Sequence, residues 1–345
     1  MVKGIYSYGL VTAFFASLLL TAPAVAQQDF YKGKTLRFVV GYSPGGGFDI
    51  YTRAIARHIN KHIPGNPTTM VQNQPGAGGL IAANTVYKVA KPDGLTIGNF
   101  IGSLVVDQVL DAPGIEFDAR KFEWVGVPMQ ESNACVLTKA SGITSLEKWK
   151  SSPTPVKIGA TAPGDPTYNI PLILKQVLGM PVQVVGGYKG IAGILVAAES
   201  GEIAGACWQW ESIKTTWRKA LDAGEVSVVV QINRQSHPEL SNVPNAVSLA
   251  KDDAGRSLLQ AGILDPAAIT RLYALPPGTP KDRVQILRKA FLDTLKDPEF
   301  LEEAKKLNIE VKPMSGDDLE KLVAGLFSLP PDTVKTLKAL RQGTR

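Results

Sequence analysis

The chain has 345 residues, 44% hydrophobic and 20% charged, with a formal net charge of +6 at pH 7. That length exceeds what one hydrophobic core usually accommodates, so two domains are expected. The 37 Lys and Arg residues are scattered without a basic run, which argues against a nucleic-acid interface; the mildly basic balance suits small anionic ligands.

Residues 1–26 read as a secretory signal, with Lys3 near the start, an apolar run from Leu10 to Leu20 and the small-residue triplet Ala24-Val25-Ala26. The run is about half of the ~20 residues that span a bilayer. The mature chain is therefore expected to begin near Gln27, exported and without a membrane anchor.

From residue 36 onward, strand-like and helix-like stretches alternate, the pattern of βα units and largely parallel sheets. LRFVVGY (36–42) leads into a helix over 49–62, TMVQNQ (69–74) into a helix over 80–89, and TIGNF (96–100) forms a third strand. A middle block has its own alternation. Its strands lie at 133–138, 156–161, 182–188 and in EIAGACW, with helices around SLEKWKS, over 167–178, over 191–200 and through Trp217. VSVVVQI (226–232) and RLYALPP (271–277) read as strands again, and four amphipathic helices fill 280–341. The predicted fold class is α/β with two domains: 27–104 plus 226–345 as a discontinuous first domain, and 105–225 as a second domain inserted into it. A cleft at the carboxyl ends of such strands is where ligands of α/β proteins usually sit.

Three loops share one place in the βα unit, between a strand and the following helix: SPGGGFD (43–49), PGAGG (75–79) and TAPGDPTY (161–168). Glycine permits φ > 0 and close approach of backbone N–H groups. A helix N-terminus adds unsatisfied donors and partial positive charge, and together these make anion sites. Gly46 in particular is expected to need this backbone freedom. Taken singly, each loop reads equally well as a tight turn. Phosphate fails on spacing: Phe48 and Asp49 stand where a Walker A loop needs Lys and Ser/Thr, and Ile50 and Ile81 stand where a dinucleotide fingerprint needs its third glycine. A carboxylate fits such loops. Asp49 is expected to cap the helix beside it by accepting from N–H groups two or three residues on.

The catalytic search yields little. No G-x-S-x-G elbow occurs, and no close acidic cluster resembles a metal site. His58 and His62 lie four apart, but residue 59 is Ile where the zinc-peptidase pattern has a second-position Glu, so they read as solvated helix residues. Cys135 and Cys207, the only cysteines, either pair in an oxidising compartment or sit as two small buried residues on separate strands.

VVGYSPGGGFDIYTRAIA, VQNQPGAGGLIAANTVYKVAKPDGLTIG, FEWVGVPMQESNACVLT, GGYKGIAGILVAAESGEIAGA and LPPGTPKDRVQILRKAFLDTLKDPEFLEEAKKLNIEV resemble, in order over nearly all of the mature chain, the periplasmic solute receptors of the tripartite tricarboxylate transporter system, the Bug family. The resemblance implies a two-domain Venus-flytrap periplasmic binding protein that closes on a small organic carboxylate and hands it to membrane permease subunits. It implies no enzyme activity, cofactor or metal, a periplasmic location and a monomer. It further implies that the loops at 43–49 and 161–168 hold the carboxylate through backbone amides and ordered water.

On that basis the expected ligand-binding residues are Tyr42, Ser43, Gly46, Gly47, Phe48, Asp49, Ala77, Gly78, Thr161, Ala162, Gly164, Asp165, Thr167, Tyr168, Tyr188, Lys189 and Trp208. Trp208 aligns where many relatives carry an Asp at the cleft. With Tyr168 and Phe48 it is expected to surround an aromatic or long aliphatic ligand body, or else to be ordinary packing. The alternative functions are a secreted α/β enzyme or a ligand-sensing input protein on the same frame.

Overall fold

The computed structural model describes Met1 and residues 30–342. The expected secretory segment, apart from Met1, lies outside the described residues. In chain order, β1 (Thr35–Val40), α1 (Gly47–Ile59), β2 (Thr68–Asn73), α2 (Leu80–Lys88), β3 (Thr96–Ile101), α3 (Ser103–Val109) and β4 (Glu123–Val127) build a first unit. The second unit follows with β5 (Asn133–Thr138), α4 (Leu146–Lys150), β6 (Val156–Gly159), α5 (Pro166–Leu178), β7 (Val182–Val185), α6 (Ile191–Glu199), β8 (Gly205–Gln209), α7 (Trp210–Thr216), α8 (Arg218–Asp222) and β9 (Val226–Ile232). The chain returns through α9 (Asp253–Leu259), a π turn (Gln260–Leu264) and the short α10 (Asp265–Ala268). It closes with β10 (Arg271–Leu275), α11 (Lys281–Thr294), α12 (Pro298–Lys306), β11 (Met314–Ser315), α13 (Gly316–Leu326) and α14 (Pro331–Gln342).

The first sheet has the order β11-β4-β10-β3-β1-β2 and the second β7-β6-β8-β5-β9. In the first, β1 runs parallel to β2 and β3, while β10 is antiparallel to both β3 and β4. In the second, β6 is parallel to β7 and β8, and β5 is antiparallel to β8 and β9. Each sheet is therefore mixed: a parallel part made of βα units, joined by strands that arrive from or leave for the other unit.

Two strands fall on the other side of the expected boundaries. FEWVG, in the block assigned to the second domain, contributes β4, which is buried along its whole length between β10 and β11 in the first sheet. VSVVVQI, assigned to the first domain, is β9 and pairs with β5 in the second. The crossings between sheets thus fall at 128–132 and between 233 and 270, later than the sequence reading placed them. Charge concealed β4: Lys121 and Glu123 stand just before its apolar Trp124-Val125 pair, and Glu123 is tolerated because Lys281 Nζ reaches both of its oxygens at 2.7 and 2.9 Å.

Capping residues set several helix starts. Asp165 accepts from Thr167 N ahead of α5, and Asp297 from Glu299 N ahead of α12, each followed by Pro at a first helical position. One face of the first sheet packs Leu36, Phe38 and Tyr273 against Ile55, Leu287 and Phe291. Its other face continues without a break into the second unit, from Phe100 and Trp124 through Leu264 and Ile269 to Ile158, Ile170 and Leu337. The far face of the second sheet carries Trp208, Trp210, Ile213 and Trp217 with Ile194 of α6. His58 and His62 are not solvated: their Nε2 atoms lie 2.7 Å from Glu303 and 2.9 Å from Asp297, and they pin α1 and the turn after it to α12.

Cys135 and Cys207 are bonded, and both are fully buried. They face each other directly across the antiparallel β5–β8 pair, so the pairing alternative holds. Because side chains alternate along a strand, Ala134 and Trp208 lie on the opposite face of the same two strands.

Candidate functional site

A cavity of about 750 Å³ opens between the two units, above the carboxyl ends of the parallel strands. From the first unit its wall takes Tyr42 at the end of β1, Ala77 and Gly78 before α2, and Ser103, Leu104 and Asp107 of α3. From the second it takes Asn133 of β5, the loop and first turn of α5 including Thr161 and Thr167, Lys189 and Gly190 before α6, and Trp208 and Gln209 of β8. The π turn, α10 and α14 supply the remaining wall through Ile263, Pro266, Leu337 and Leu340.

On the first-unit side the loops brace one another. Tyr42 Oη donates to the Gly78 carbonyl at 2.9 Å, and its ring stacks on Phe48 at 4.0 Å between centroids. Burial pushes the Tyr42 phenol up to about 12, so it stays a neutral donor. Residues 76–79 run through positive φ, including Ala77 at 45°. This left-handed turn lays Gly79 so close to Gly41 that a Cβ on Gly41 would meet the Gly79 Cα at 3.0 Å.

Asp49 does not cap α1 in the expected way. It is buried and reaches backward, accepting from Gly45 N at 2.9 Å, from Arg53 Nε at 2.9 Å and from Asn73 Nδ2 at 2.8 Å. Burial raises its pKa, but the hydrogen bonds from Arg53, Gly45 and Asn73 outweigh this and hold the carboxyl below its ordinary range. Gly46 has φ −82°, and a Cβ there would make only an ordinary contact with the Ser43 carbonyl at 3.7 Å. The glycine whose backbone needs its freedom is Gly45, at φ +82°.

On the second-unit side several expected amide donors are already committed. Thr161 N donates to Thr167 Oγ1 at 3.0 Å, Gly164 N to Asn169 Oδ1 at 3.2 Å, and the Thr167 hydroxyl to Asp165 Oδ1 at 2.5 Å. Two residues of the wall instead carry buried polar atoms without a partner. Trp208 is 1% exposed and Asn133 2%, and Trp208 Nε1 and Asn133 Oδ1 have no hydrogen-bond partner. A buried polar atom left this way is costly. Exposed Lys189 is the one Lys, Arg or His lining the cavity among the described residues.

The sequence profile of the tripartite tricarboxylate transporter family receptor, TctC, matches residues 52–328. The chain belongs to this receptor family. Among solved structures, a TctC solute-binding protein from Polaromonas is similar with a TM-score of 0.69 and 16% identity, covering 90% of this chain and 98% of that one. MatC from Rhodopseudomonas palustris with bound malate gives 0.59 and 22%, covering 87% and 99%. Rhodopseudomonas palustris Rpa4515 with adipate gives 0.61 and 22%, covering 88% and 97%. At these identities the likeness is one of fold: an α/β, two-domain periplasmic binding protein with its ligand cleft between the domains. Family and fold are those of TctC solute receptors.

Set against that TctC cleft, the expected residues divide. Tyr42, Ala77, Gly78, Thr161, Gly164, Asp165, Thr167, Lys189 and Trp208 line the cavity, whereas Ser43, Gly46, Gly47, Phe48, Asp49, Ala162, Tyr168 and Tyr188 do not. Phe48 is drawn away by its stack on Tyr42 and by the Arg271 guanidinium 5.3 Å over its ring. Tyr188 donates to Glu202 Oε1 at 2.7 Å. Of the three aromatic side chains expected around the ligand, the cavity wall keeps Trp208. Sequence reasoning missed Asn133, Gln209, Ser103, Asp107 and the apolar wall. Asn133 opens the NACVLT strand, and that position at a strand start was its one available signal.

Two groups of side chains have metal-ligand spacing, His58/Asp297/Glu299 and Glu211/His237/Glu310. A lysine ammonium already supplies the cation at each: Lys61 lies 2.8 Å from Asp297, and Lys214 lies 2.8 Å from Glu310.

Proposed function

We propose that the chain is a periplasmic receptor that binds a small organic carboxylate in this cavity and delivers it to the membrane permease of a tripartite tricarboxylate transporter, as a binding protein and not as an enzyme. The observation that carries the reading is the buried, unpartnered indole N–H of Trp208 in a cleft built between two units. A neutral donor of this kind holds an anion without a buried countercharge and its desolvation cost. Lys189 at the opening adds a cation, and the cavity-lining residues of the 161–167 loop shape the anion's surroundings. Two structural neighbours carry malate and adipate, both carboxylates, which supports the ligand class. Family membership supports the permease as partner, and the secretory character of residues 1–26 supports export.

A thermal-shift screen of protein refolded from denaturant, to strip any carried ligand, tests the proposal with mono-, di- and tricarboxylates. At 100 times its Kd a ligand adds ~2.7 kcal/mol, which predicts a rise in Tm of about 5 °C or more for at least one carboxylate. A rise only with neutral or cationic solutes contradicts the proposal.

A further inference from the structure

The cavity wall is of two chemical kinds. Trp208, Asn133, Lys189 and Thr161 stand at strand ends of the second sheet. Ile170 and Ile173 of α5, Ile263 of the π turn and Leu337 and Leu340 of α14, elements packed on one another, form an apolar arm to which Leu110 adds. None of these six side chains carries an N–H or O–H. The fold builds the arm deliberately. At Gly262 in the π turn a Cβ would stand 2.4 Å from Ile173 Cδ1 and 3.0 Å from Leu337 Cδ2, so the missing side chain lets the π turn pack directly against α5 and α14. π turns of this kind recur at functional sites.

We propose that the ligand is an amphipathic monocarboxylate: one carboxylate at the Trp208 end and a hydrocarbon body, aromatic or medium-chain, in the arm. This rests on the carboxylate reading above. A second carboxylate on the same body would lie against the isoleucines and leucines of the arm, whose side chains offer it no donor and no cation. An uncompensated buried carboxylate is strongly disfavoured. The volume agrees, since about 750 Å³ lies within the ~300–1,000 Å³ of pockets that enclose drug-sized molecules and exceeds what a four-carbon diacid fills.

Calorimetry on the refolded full mature chain with octanoate against suberate, and benzoate against terephthalate, decides the matter, because each pair shares a body and differs by one carboxylate. The monocarboxylate is expected to bind at least about tenfold more tightly in at least one pair. Equal or tighter binding of both diacids overturns the proposal and leaves the carboxylate receptor standing; absence of binding by every carboxylate, here and in the screen, overturns both. Leu340 is half-buried on the last turn of α14, so Leu340→Glu is expected to fold. It should weaken the preferred long or aromatic monocarboxylate by about tenfold and leave butyrate within about twofold, with Leu340→Ser intermediate. Unchanged affinity in both variants removes the arm from the site.

Discussion

Trp208 is packed like a core residue, with Trp217 at 6.0 Å between ring centroids, yet its indole N–H is buried with no partner. Packing alone accounts for the ring and leaves the nitrogen unexplained. Trp208→Phe keeps most of the ring surface and removes the donor, so it separates the two roles. Hydrogen bonds to charged groups are worth about 1.5–3 kcal/mol, which predicts a loss of carboxylate affinity of about tenfold or more. The Tm deficit of Trp208→Phe against wild type is expected to be larger with ligand than without; an equal deficit in both conditions assigns Trp208 to packing. Trp208 was legible in the sequence through its place at the end of EIAGACW. The fates of Asp49 and Gly46 were not, because a Gly-rich loop does not reveal which of its glycines takes φ > 0. Nor does an acidic residue at a helix start reveal whether it reaches forward or back.

Among the elements, α7 carries a charge cluster at the seam between the units. Glu211 in its first turn is pushed up to about 7, chiefly by burial, with the Glu310 and Glu131 carboxylates adding to the rise against its own backbone N–H and that of Ser132. One turn on, Lys214 bonds Glu310 from the first unit and Glu239 from the second at 2.8 and 3.0 Å. A carboxyl whose folded pKa lies above its unfolded value favours the protonated folded state. Its contribution is complete below about 4.5 and is lost as pH rises through about 7. Glu211→Gln is therefore expected to be more stable than wild type at pH 8, by up to ~3 kcal/mol, and no more stable at pH 4. Denaturation at the two pH values measures this, and an advantage independent of pH contradicts it.

Most strands and the four closing helices could be read from periodicity, since Val-rich runs and amphipathic stretches carry strong local signals. The strand β4 could not, because it is buried through tertiary pairing around a Glu123–Lys281 ion pair that no local window contains. The stretch from 233 to 270, with its π turn, has no clean period either. The apolar arm of the cavity joins Ile263 of that stretch to side chains of α5 and α14 far from it in sequence, a juxtaposition that no local window contains, so sequence reading named polar wall residues and none of the arm.

For the whole molecule, the two sheets share one continuous core through α9, the π turn and α14, and the π turn and α14 also wall the cavity between the units. Motion that closes the cavity must therefore pivot about that shared side and the crossing at 128–132, where Glu131 is held by Thr270 at 2.9 Å and by Arg271. Closure of this hinge type predicts a smaller radius of gyration by small-angle scattering when a tight carboxylate is bound. An unchanged radius with a saturating ligand contradicts hinge closure.

The cavity is proposed to recognise a carboxylate as an anion, through the Trp208 indole N–H and Lys189. Calorimetric titration of the refolded protein with its best carboxylate and with the primary amide of the same acid tests this most directly, because the two match in shape and differ in charge. The carboxylate is expected to bind at least about tenfold more tightly, as charge-assisted hydrogen bonds are the stronger ones; equal binding of the amide would contradict anion recognition.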